Sequence, residues 1–129
     1  MLRIINRVKC VNGYKRFLHL TPRLNSIIYT DTKEWLYETK EFTKIGLSKE
    51  ALEEMGELVF VEFPNVSNDN INSSEELALI ESVKATSSVF SPYNCKIIEN
   101  NIELLDNLEN INNNPECIDN SWFLKIRKN

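Results

Sequence analysis

The stretch “ELALIESVKATSSVFSP”, from Glu76 to Pro92, restricts the fold more than any other part of the sequence. It sets an apolar run before one lysine and a more polar run, which contains Val89 and Phe90, after it. Two short strands joined by a tight turn are predicted. We therefore expect the chain to reverse direction at Lys84. A lysine in a turn is usually only a solvated charge, so the remaining sequence must decide whether Lys84 has a function.

Short strands are predicted on both sides of this hairpin. β-branched and aromatic residues dominate several runs between polar breaks, namely “IIYT”, “EWLYET”, “FTKIG”, “CKIIE” and “SWFLKIR”. The strongest strand is “ELVFVEF”, whose apolar residues on both alternating faces predict that both faces are buried. In “SWFLKIR” the alternation predicts that Trp122, Leu124 and Ile126 point inward and that Phe123 points outward.

One helix has both of its ends marked in the sequence. In “LSKEALEEMG”, Ser48 is the expected N-cap, Glu50 suits the positive end of the helix, and Gly56 stands where a C-terminal cap belongs. A further helical turn is predicted in “NIELLDN”. The asparagine-rich segment “NLENINNNPE” predicts an exposed loop.

These elements together predict the fold class. Many short strands with only one or two short helices indicate a mainly β protein, a compact and mostly antiparallel barrel or sandwich. A chain of 129 residues and 15.0 kDa is long enough for one domain with a real core. No run approaches the roughly 18 to 20 apolar residues that cross a bilayer, so we expect no membrane function.

The head of the chain differs in charge from the rest. The first 30 residues carry six lysines or arginines and no acid. This composition, with aliphatic residues between the charges, predicts a mitochondrial transit peptide over residues 1–26. A domain over residues 27–129 would remain in the mitochondrial matrix or in a mitochondrion-related organelle. The alternative is a basic tail that binds nucleic acid or a membrane surface.

The acidic remainder excludes several classes of function. From Asp31 onward the sequence has nine basic and nineteen acidic residues, which would repel a phosphate backbone and favours partners with basic patches. His19, the single histidine, lies in the head, and Cys95 and Cys117 have no Cys-x-x-Cys pairing. We therefore expect no nucleic-acid binding, no metal site and no catalytic constellation, so that the protein is not an enzyme.

Four segments resemble, in order, the glycine cleavage system H protein family. They are “YTDTKEW”, “IGLSKEALEEMGELVFVEFP”, “IESVKATSSVFSP” and “SWFLKI”, which extend from about Tyr29 to Ile126. This family has the flattened barrel of the lipoyl and biotinyl type, and its lipoylated lysine falls on Lys84. The sequence departs from the family where Lys33 replaces the usual histidine and Cys95 replaces the usual glycine.

The resemblance, which we assign to the mitochondrial type, implies a carrier function without catalysis. Lys84 would be joined by an amide bond to lipoic acid by a lipoyl- or octanoyltransferase. The loaded arm would take an aminomethyl group from a pyridoxal-phosphate glycine decarboxylase to an aminomethyltransferase. A dihydrolipoyl dehydrogenase would reoxidise the dithiol, and the carrier is expected to be a monomer.

Two carboxylates are further candidates by the same resemblance. Glu34 matches a glutamate associated with the cleft that receives the loaded arm, and Glu81 matches the acidic residue before the lysine turn, which serves recognition by the lipoylating enzyme. Each has a structural alternative, since Glu34 could be a surface carboxylate beside a core tryptophan and Glu81 a charge at a strand end.

Other carriers share the fold and the lysine. The nearest alternative is an H-like relay protein that passes its octanoyl or lipoyl group to 2-oxoacid dehydrogenases. A biotin carrier is disfavoured because methionines flank its lysine, and a dehydrogenase lipoyl domain is disfavoured because an acidic residue precedes its lysine. Here Val83 and Ala85 are the neighbours. An unmodified scaffold of the same fold is a third alternative.

Overall fold

The computed structural model describes residues 26–64 and 70–129, and of residues 1–25 only the backbone of three short strands. The strands within this description are β1 (Arg3–Asn6), β2 (Cys10–Val11), β3 (Tyr14–Lys15), β4 (Ser26–Tyr29), β5 (Glu34–Glu38), β6 (Thr43–Leu47), β7 (Leu58–Glu62), β8 (Asn70–Ile71), β9 (Glu76–Ser82), β10 (Thr86–Phe90), β11 (Cys95–Asn100) and β12 (Leu124–Lys128). The helices are α1 (Lys49–Met55), a 3-10 helix (Ile102–Asp106) and α2 (Leu108–Asn113).

Two antiparallel sheets form the body of the fold. The larger sheet has the strand order β1-β4-β5-β6-β12-β11-β8, the smaller one has the order β10-β9-β7, and β2 pairs with β3. Aliphatic side chains from both sheets, such as Ile45, Ile80 and Ile126, share one buried core. The predicted mainly β class is confirmed as a sandwich, and in the described part of the chain the two sheets stay open instead of closing into a barrel.

A second, smaller core lies against β4 and β5 of the larger sheet. It contains Ile27, Tyr29, Trp35, Ile118 and Trp122. The indole nitrogen of Trp35 donates a hydrogen bond to the main-chain oxygen of Pro115 over 2.8 Å, so its buried polar group is satisfied. This core anchors the segment after α2 against β4 and β5.

Strand β7 differs from the prediction that both of its faces are buried. Leu58 and Val61 are buried, whereas Val59 and Phe60 are exposed. The pairing with β9 shifts between Leu58 and Phe60. An extra residue in a strand interrupts the two-residue alternation, which explains why buried residues stand three apart instead of two.

Two predictions near the end of the chain were also wrong. Phe123 is fully buried, as are its neighbours Leu124 and Ile126, because it precedes the start of β12 and is not bound by the alternation of that strand. The asparagine-rich segment forms α2 instead of a loop, and Ile111 from this helix is fully buried. The predicted helical turn in “NIELLDN” is confirmed as the 3-10 helix.

Some sequence-based predictions concern residues that the structure does not describe. Apart from the three strand backbones and Ser26, the predicted presequence of residues 1–26 lies outside the described residues, and so does His19. Among the helices of the described residues, none is long and apolar enough to cross a membrane.

Candidate functional site

Lys84 lies in the turn of the predicted hairpin. Strand β9 ends at Ser82 and β10 begins at Thr86, and the two strands pair with Thr86 opposite Glu81. The main-chain nitrogen of Ser82 donates to the oxygen of Ala85 over 2.8 Å, which closes the turn. The lysine is exposed at its tip, so its amine is open to an approaching enzyme.

The hydroxyl of Ser82 holds this turn through hydrogen bonds to main-chain groups. Its oxygen accepts hydrogen bonds from the main-chain nitrogens of Ala85 at 3.0 Å and Lys84 at 3.3 Å. The hydroxyl also lies 2.7 Å from the carbonyl oxygen of Met55, to which it donates. A serine side chain that bonds to main-chain groups two and three residues ahead stabilises a tight turn, and here it also ties the turn to α1.

The end of α1 contacts the lysine turn and supports it. The main-chain nitrogen of Val83 donates to the oxygen of Glu57 over 3.0 Å. Gly56 ends the helix with φ 86° and ψ −171°, a backbone region that is essentially restricted to glycine. A Cβ atom added at Gly56 would lie 2.9 Å from Cγ2 of Val83 and 3.5 Å from Cγ of Lys84. The glycine therefore lets the turn pack directly on the helix end.

Helix α1 is itself fixed at its start. The Ser48 hydroxyl accepts from the nitrogen of Ala51 over 3.2 Å, which confirms the predicted N-cap. The carboxylate of Glu116 accepts from the Lys49 nitrogen over 2.8 Å, and its other oxygen accepts from the Tyr29 hydroxyl over 2.6 Å. The helix that supports the lysine turn is thus anchored to the larger sheet.

Lys33 adds an ion pair on the outer surface of α1. Its backbone has a positive φ of 71°, and its main-chain oxygen accepts from the Ser48 nitrogen over 3.0 Å. Its ammonium group binds the carboxylate of Glu54, and this hydrogen bond raises the pKa of Lys33 above its ordinary value. The residue that departs from the family pattern therefore links the β4–β5 turn to α1.

Glu34 is buried, with only 1% of its surface exposed, and it joins the two sheets. One carboxylate oxygen accepts from the hydroxyls of Thr30, at 2.5 Å, and Thr32. The other oxygen accepts from the main-chain nitrogen of Phe90, at the end of β10, over 3.2 Å. The alternative of an exposed surface carboxylate is therefore excluded for Glu34.

A groove of about 640 Å³ lies beside Glu34. Thr30, Thr32 and Phe90, the three residues that bond to the Glu34 carboxylate, all line it, together with apolar residues such as Leu36. Phe90 lies six residues beyond Lys84 along the hairpin, which corresponds to roughly 20 Å in an extended strand. Glu34 itself is buried behind these lining residues, and the groove lies away from Lys84.

Glu81 lies in β9 on the outer face of the smaller sheet. It is exposed and stands directly opposite Phe60 on one side and Thr86 on the other. The structure therefore brings Glu81 and Lys84 together in one hairpin. The supporting residues Ser82 and Gly56 were not predicted as part of the site, although the serine two positions before Lys84 is a recognisable turn signal.

The described residues contain no cluster of three or more histidine, cysteine or acidic side chains that could hold a metal ion. Cys95 and Cys117 are buried free thiols. Burial raises the pKa of the Cys95 thiol above its ordinary value, and a hydrogen bond with Ser91 partly opposes that shift. A buried thiol with a raised pKa is a poor nucleophile, so Cys95 is a weak candidate for covalent chemistry.

Comparisons with known proteins agree with this geometry. The family model described as Glycine cleavage H-protein matches residues 27–129. A glycine cleavage system H protein from Halothermothrix orenii is 38% identical over 102 residues, which cover 79% of this chain and 77% of the relative. One from Treponema denticola is 40% identical over 98 residues, which cover 76% and 77% respectively.

A solved structure has the same fold. The crystal structure of a glycine cleavage system H protein from Mycobacterium marinum matches with a TM-score of 0.69 and 25% identity. The match covers 78% of this chain and 81% of that chain. The sandwich of two open sheets is therefore the fold of an H protein.

The prediction of a mitochondrial matrix location is wrong, because these relatives are bacterial and bacteria have no mitochondrion. The same finding leaves the mitochondrial type without support. A basic, acid-free composition does not specify import by itself, since a basic tail has the same composition. The family match and the level of identity over three quarters of the sequence agree, and the chain belongs to the glycine cleavage H-protein family.

Proposed function

We propose that this chain is the lipoyl carrier of a glycine cleavage system and that Lys84 is the residue that carries lipoic acid in amide linkage. The observation that carries the proposal is the exposed amine of Lys84 on a turn whose backbone is fixed by Ser82 and by the end of α1. A modifying enzyme needs such a turn, because a fixed backbone presents the amine in one position.

The residues around Lys84 fit the attachment of a long acyl chain. The flanking residues Val83, Ala85 and Thr86 are all exposed, and none of them carries a charge. Amide formation removes the charge of Lys84, which costs little desolvation at an exposed tip. When attached, the lipoyl group supplies the dithiolane sulfur that carries the aminomethyl group between enzymes.

The chain contributes a tether instead of catalysis. A carrier bound to a partner enzyme holds its arm at a high effective concentration near that enzyme's active site. The partners are a pyridoxal-phosphate glycine decarboxylase, an aminomethyltransferase and a dihydrolipoyl dehydrogenase, with a lipoyl- or octanoyltransferase for modification. The protein acts as a monomer in this scheme.

The groove beside Glu34 is the resting place of the loaded arm in this proposal. Its wall combines apolar residues with the hydroxyls of Thr30 and Thr32 and with the charged residues Asp31, Glu38 and Lys128. An aliphatic arm with a polar, cationic end suits this combination. Glu34 orients both hydroxyls by accepting their hydrogen bonds, and it holds β10 at Phe90. A groove of this kind shelters a water-labile group by excluding solvent.

We assign residues 27–129 to the carrier domain, which is the extent of the family match. This boundary predicts that a chain beginning at residue 27 accepts lipoate at the rate of the full chain. A truncated chain that folds but is lipoylated more slowly would show that residues before 27 contribute to the carrier domain.

Glycine-dependent exchange of carbon dioxide tests the function directly. Purified decarboxylase, pyridoxal phosphate and glycine are combined with lipoylated protein or with the Lys84→Arg variant, and incorporation of labelled bicarbonate into glycine is measured. We expect exchange with the lipoylated protein and only the background rate with the variant. Efficient lipoylation of Lys84 without any stimulated exchange would instead favour a relay protein for 2-oxoacid dehydrogenases.

A further inference from the structure

An exposed apolar patch includes Val83 of the lysine turn and extends beside the turn to residues of β7 that have no part in the function proposed above. Val59 is 53% exposed, Phe60 is 47% exposed and Val83 is 64% exposed. We call these three residues the turn-side patch. Single exposed apolar residues are common, but three neighbours next to a modification site indicate a surface that another protein covers.

Strand pairing brings the patch together. Phe60 stands opposite Glu81, three residues before Lys84. Val83 is next to Lys84 in sequence, and its nitrogen bonds to the oxygen of Glu57, two residues before Val59. Paired strands are separated by about 5 Å, so the patch borders the base of the lysine side chain.

The part of the patch on β7 is rigid because hydrogen bonds hold that strand on both sides. The β9 pairing fixes one side of β7. On the other side the Asn112 side chain pairs with Leu58, donating to its oxygen over 3.2 Å and accepting from its nitrogen over 2.8 Å. The Asn112 side-chain amide thus bonds to both the N–H and the C=O of Leu58, as a residue of a neighbouring strand would. A fixed apolar surface loses little conformational entropy when it binds.

The charge around the patch specifies the partner. Glu57, Glu62 and Glu81 are exposed at its borders, and the nearest cation in the hairpin is Lys84 itself. Acylation removes that cation, so the charged residues that the structure describes at the border of the patch are then all acidic. A complementary partner therefore has an apolar pocket ringed by lysine or arginine.

The position of the patch distinguishes among possible partners. An enzyme that uses the loaded arm can keep its active site away from the turn, because the arm spans the distance. An enzyme that attaches the arm must bring its active site to Nζ of Lys84 and therefore covers the adjacent residues. The turn-side patch lies within this second footprint.

We propose that the turn-side patch is the docking surface for the enzyme that acylates Lys84, and that Phe60 is its central anchor. This inference rests on the proposed function of Lys84. In the reaction, the deprotonated Nζ attacks the acyl carbon of a lipoyl adenylate and forms the amide C–N bond. The acyl–oxygen bond breaks, AMP leaves with the electron pair, and the proton from nitrogen passes to solvent.

The experiment measures acylation of the full-length apo-protein by a lipoate ligase with lipoic acid and MgATP, followed by intact-mass spectrometry. We expect Phe60→Ser to raise KM about tenfold with kcat little changed, as an anchor residue should. Phe60→Leu keeps the apolar character and should restore most of the affinity. Rising salt should raise KM for the wild type, because the partner is basic.

Ile98→Ser is the matched control. Ile98 is 42% exposed and lies in β11 of the other sheet. Its substitution should leave KM unchanged. Circular dichroism and thermal unfolding of each variant show whether a loss of fold contributes to the change in KM. Phe60→Leu separates a loss of fold from a loss of the apolar anchor.

Several results would overturn the docking surface while leaving Lys84 intact as the attachment site. One is an unchanged KM for folded Phe60→Ser. Another is a defect that occurs only in glycine-dependent exchange after full lipoylation, which would assign the patch to the decarboxylase. A third is a dimer in sedimentation that Phe60→Ser dissociates. The absence of any adduct on wild-type protein would instead contradict the proposed function itself.

Discussion

The Ser82 hydroxyl donates a hydrogen bond to the main-chain oxygen of Met55 over 2.7 Å, and this contact joins the lysine hairpin to the last turn of α1. A hairpin turn by itself is only marginally stable in water. Because Ser82 also accepts from the Lys84 and Ala85 nitrogens, one hydroxyl serves three main-chain groups. The position of the Lys84 amine therefore depends on a residue that is not itself modified.

Removal of this hydroxyl should loosen the turn. We expect Ser82→Ala to lower the free energy of unfolding by about 1–2 kcal/mol, since the oxygen of Met55 loses its side-chain donor and two main-chain nitrogens lose an acceptor. Urea unfolding measures the change. Ser87→Ala, at an exposed serine of the same hairpin, is the control and should change stability by less than about 0.5 kcal/mol. Equal effects of the two substitutions would contradict the role of Ser82.

Gly56 should not tolerate a side chain. Its φ of 86° and ψ of −171° are unfavourable for alanine, and the added Cβ would lie 2.9 Å from the Val83 side chain. We expect Gly56→Ala to cost about 1–3 kcal/mol of stability. Hydrogen exchange should also become faster at the amides of the lysine turn, while amides in β11 and β12 keep their protection. Uniform acceleration over the whole chain would indicate a general loss of stability instead.

Glu34 should be more important to stability than other glutamates of the same strand. Its carboxylate accepts from two hydroxyls and from the Phe90 nitrogen. An amide keeps only one acceptor oxygen, so either the Phe90 nitrogen faces a donor or both hydroxyls must reverse and accept, and the charge-assisted hydrogen bonds are lost in both cases. We expect Glu34→Gln to cost about 1–3 kcal/mol. Glu38→Gln, at the exposed end of β5, is the control and should be nearly neutral. A neutral Glu34→Gln would show that the contact between the sheets at this residue adds little stability.

Stability should fall at alkaline pH partly through Cys95. Burial raises the pKa of this thiol above its ordinary value of 9.0, whereas in the unfolded chain the thiol ionises near that value. As pH rises through about 9, the unfolded state loses the proton first and is stabilised, so the free energy of unfolding decreases. Chemical denaturation from pH 6 to 10 should show a smaller decrease above pH 9 for Cys95→Ala than for the wild type. Below pH 8 the free energies of unfolding of the two proteins should change in parallel with pH. If they also change in parallel above pH 9, Cys95 does not cause the loss of stability.

Local features of the sequence predicted the hairpin and α1. The turn at Lys84 follows from two strand-forming runs, and Ser48 caps α1 because a serine oxygen suits the free main-chain nitrogens of a helix start. These features depend on neighbours within a few residues. The resemblance to the family then supplied a function for the lysine.

Contacts between distant residues could not be predicted in the same way. Glu34 bonds to Phe90, 56 residues away, and Ser82 bonds to Met55, 27 residues away. The exposure of Phe60 depends on a shift in strand pairing that the apolar pattern of β7 does not reveal. Helix α2 is stabilised by burial of Ile111, which outweighs the loop-favouring asparagines around it.

Intact-mass and peptide mass spectrometry of the protein from lipoylation-competent cells test the central claim most directly. We predict a mass increase of one lipoyl group for the wild type, with the adduct mapped to Lys84, and no increase for Lys84→Arg. An unmodified Lys84 in wild-type protein from such cells, or an adduct that persists in Lys84→Arg, would contradict the account.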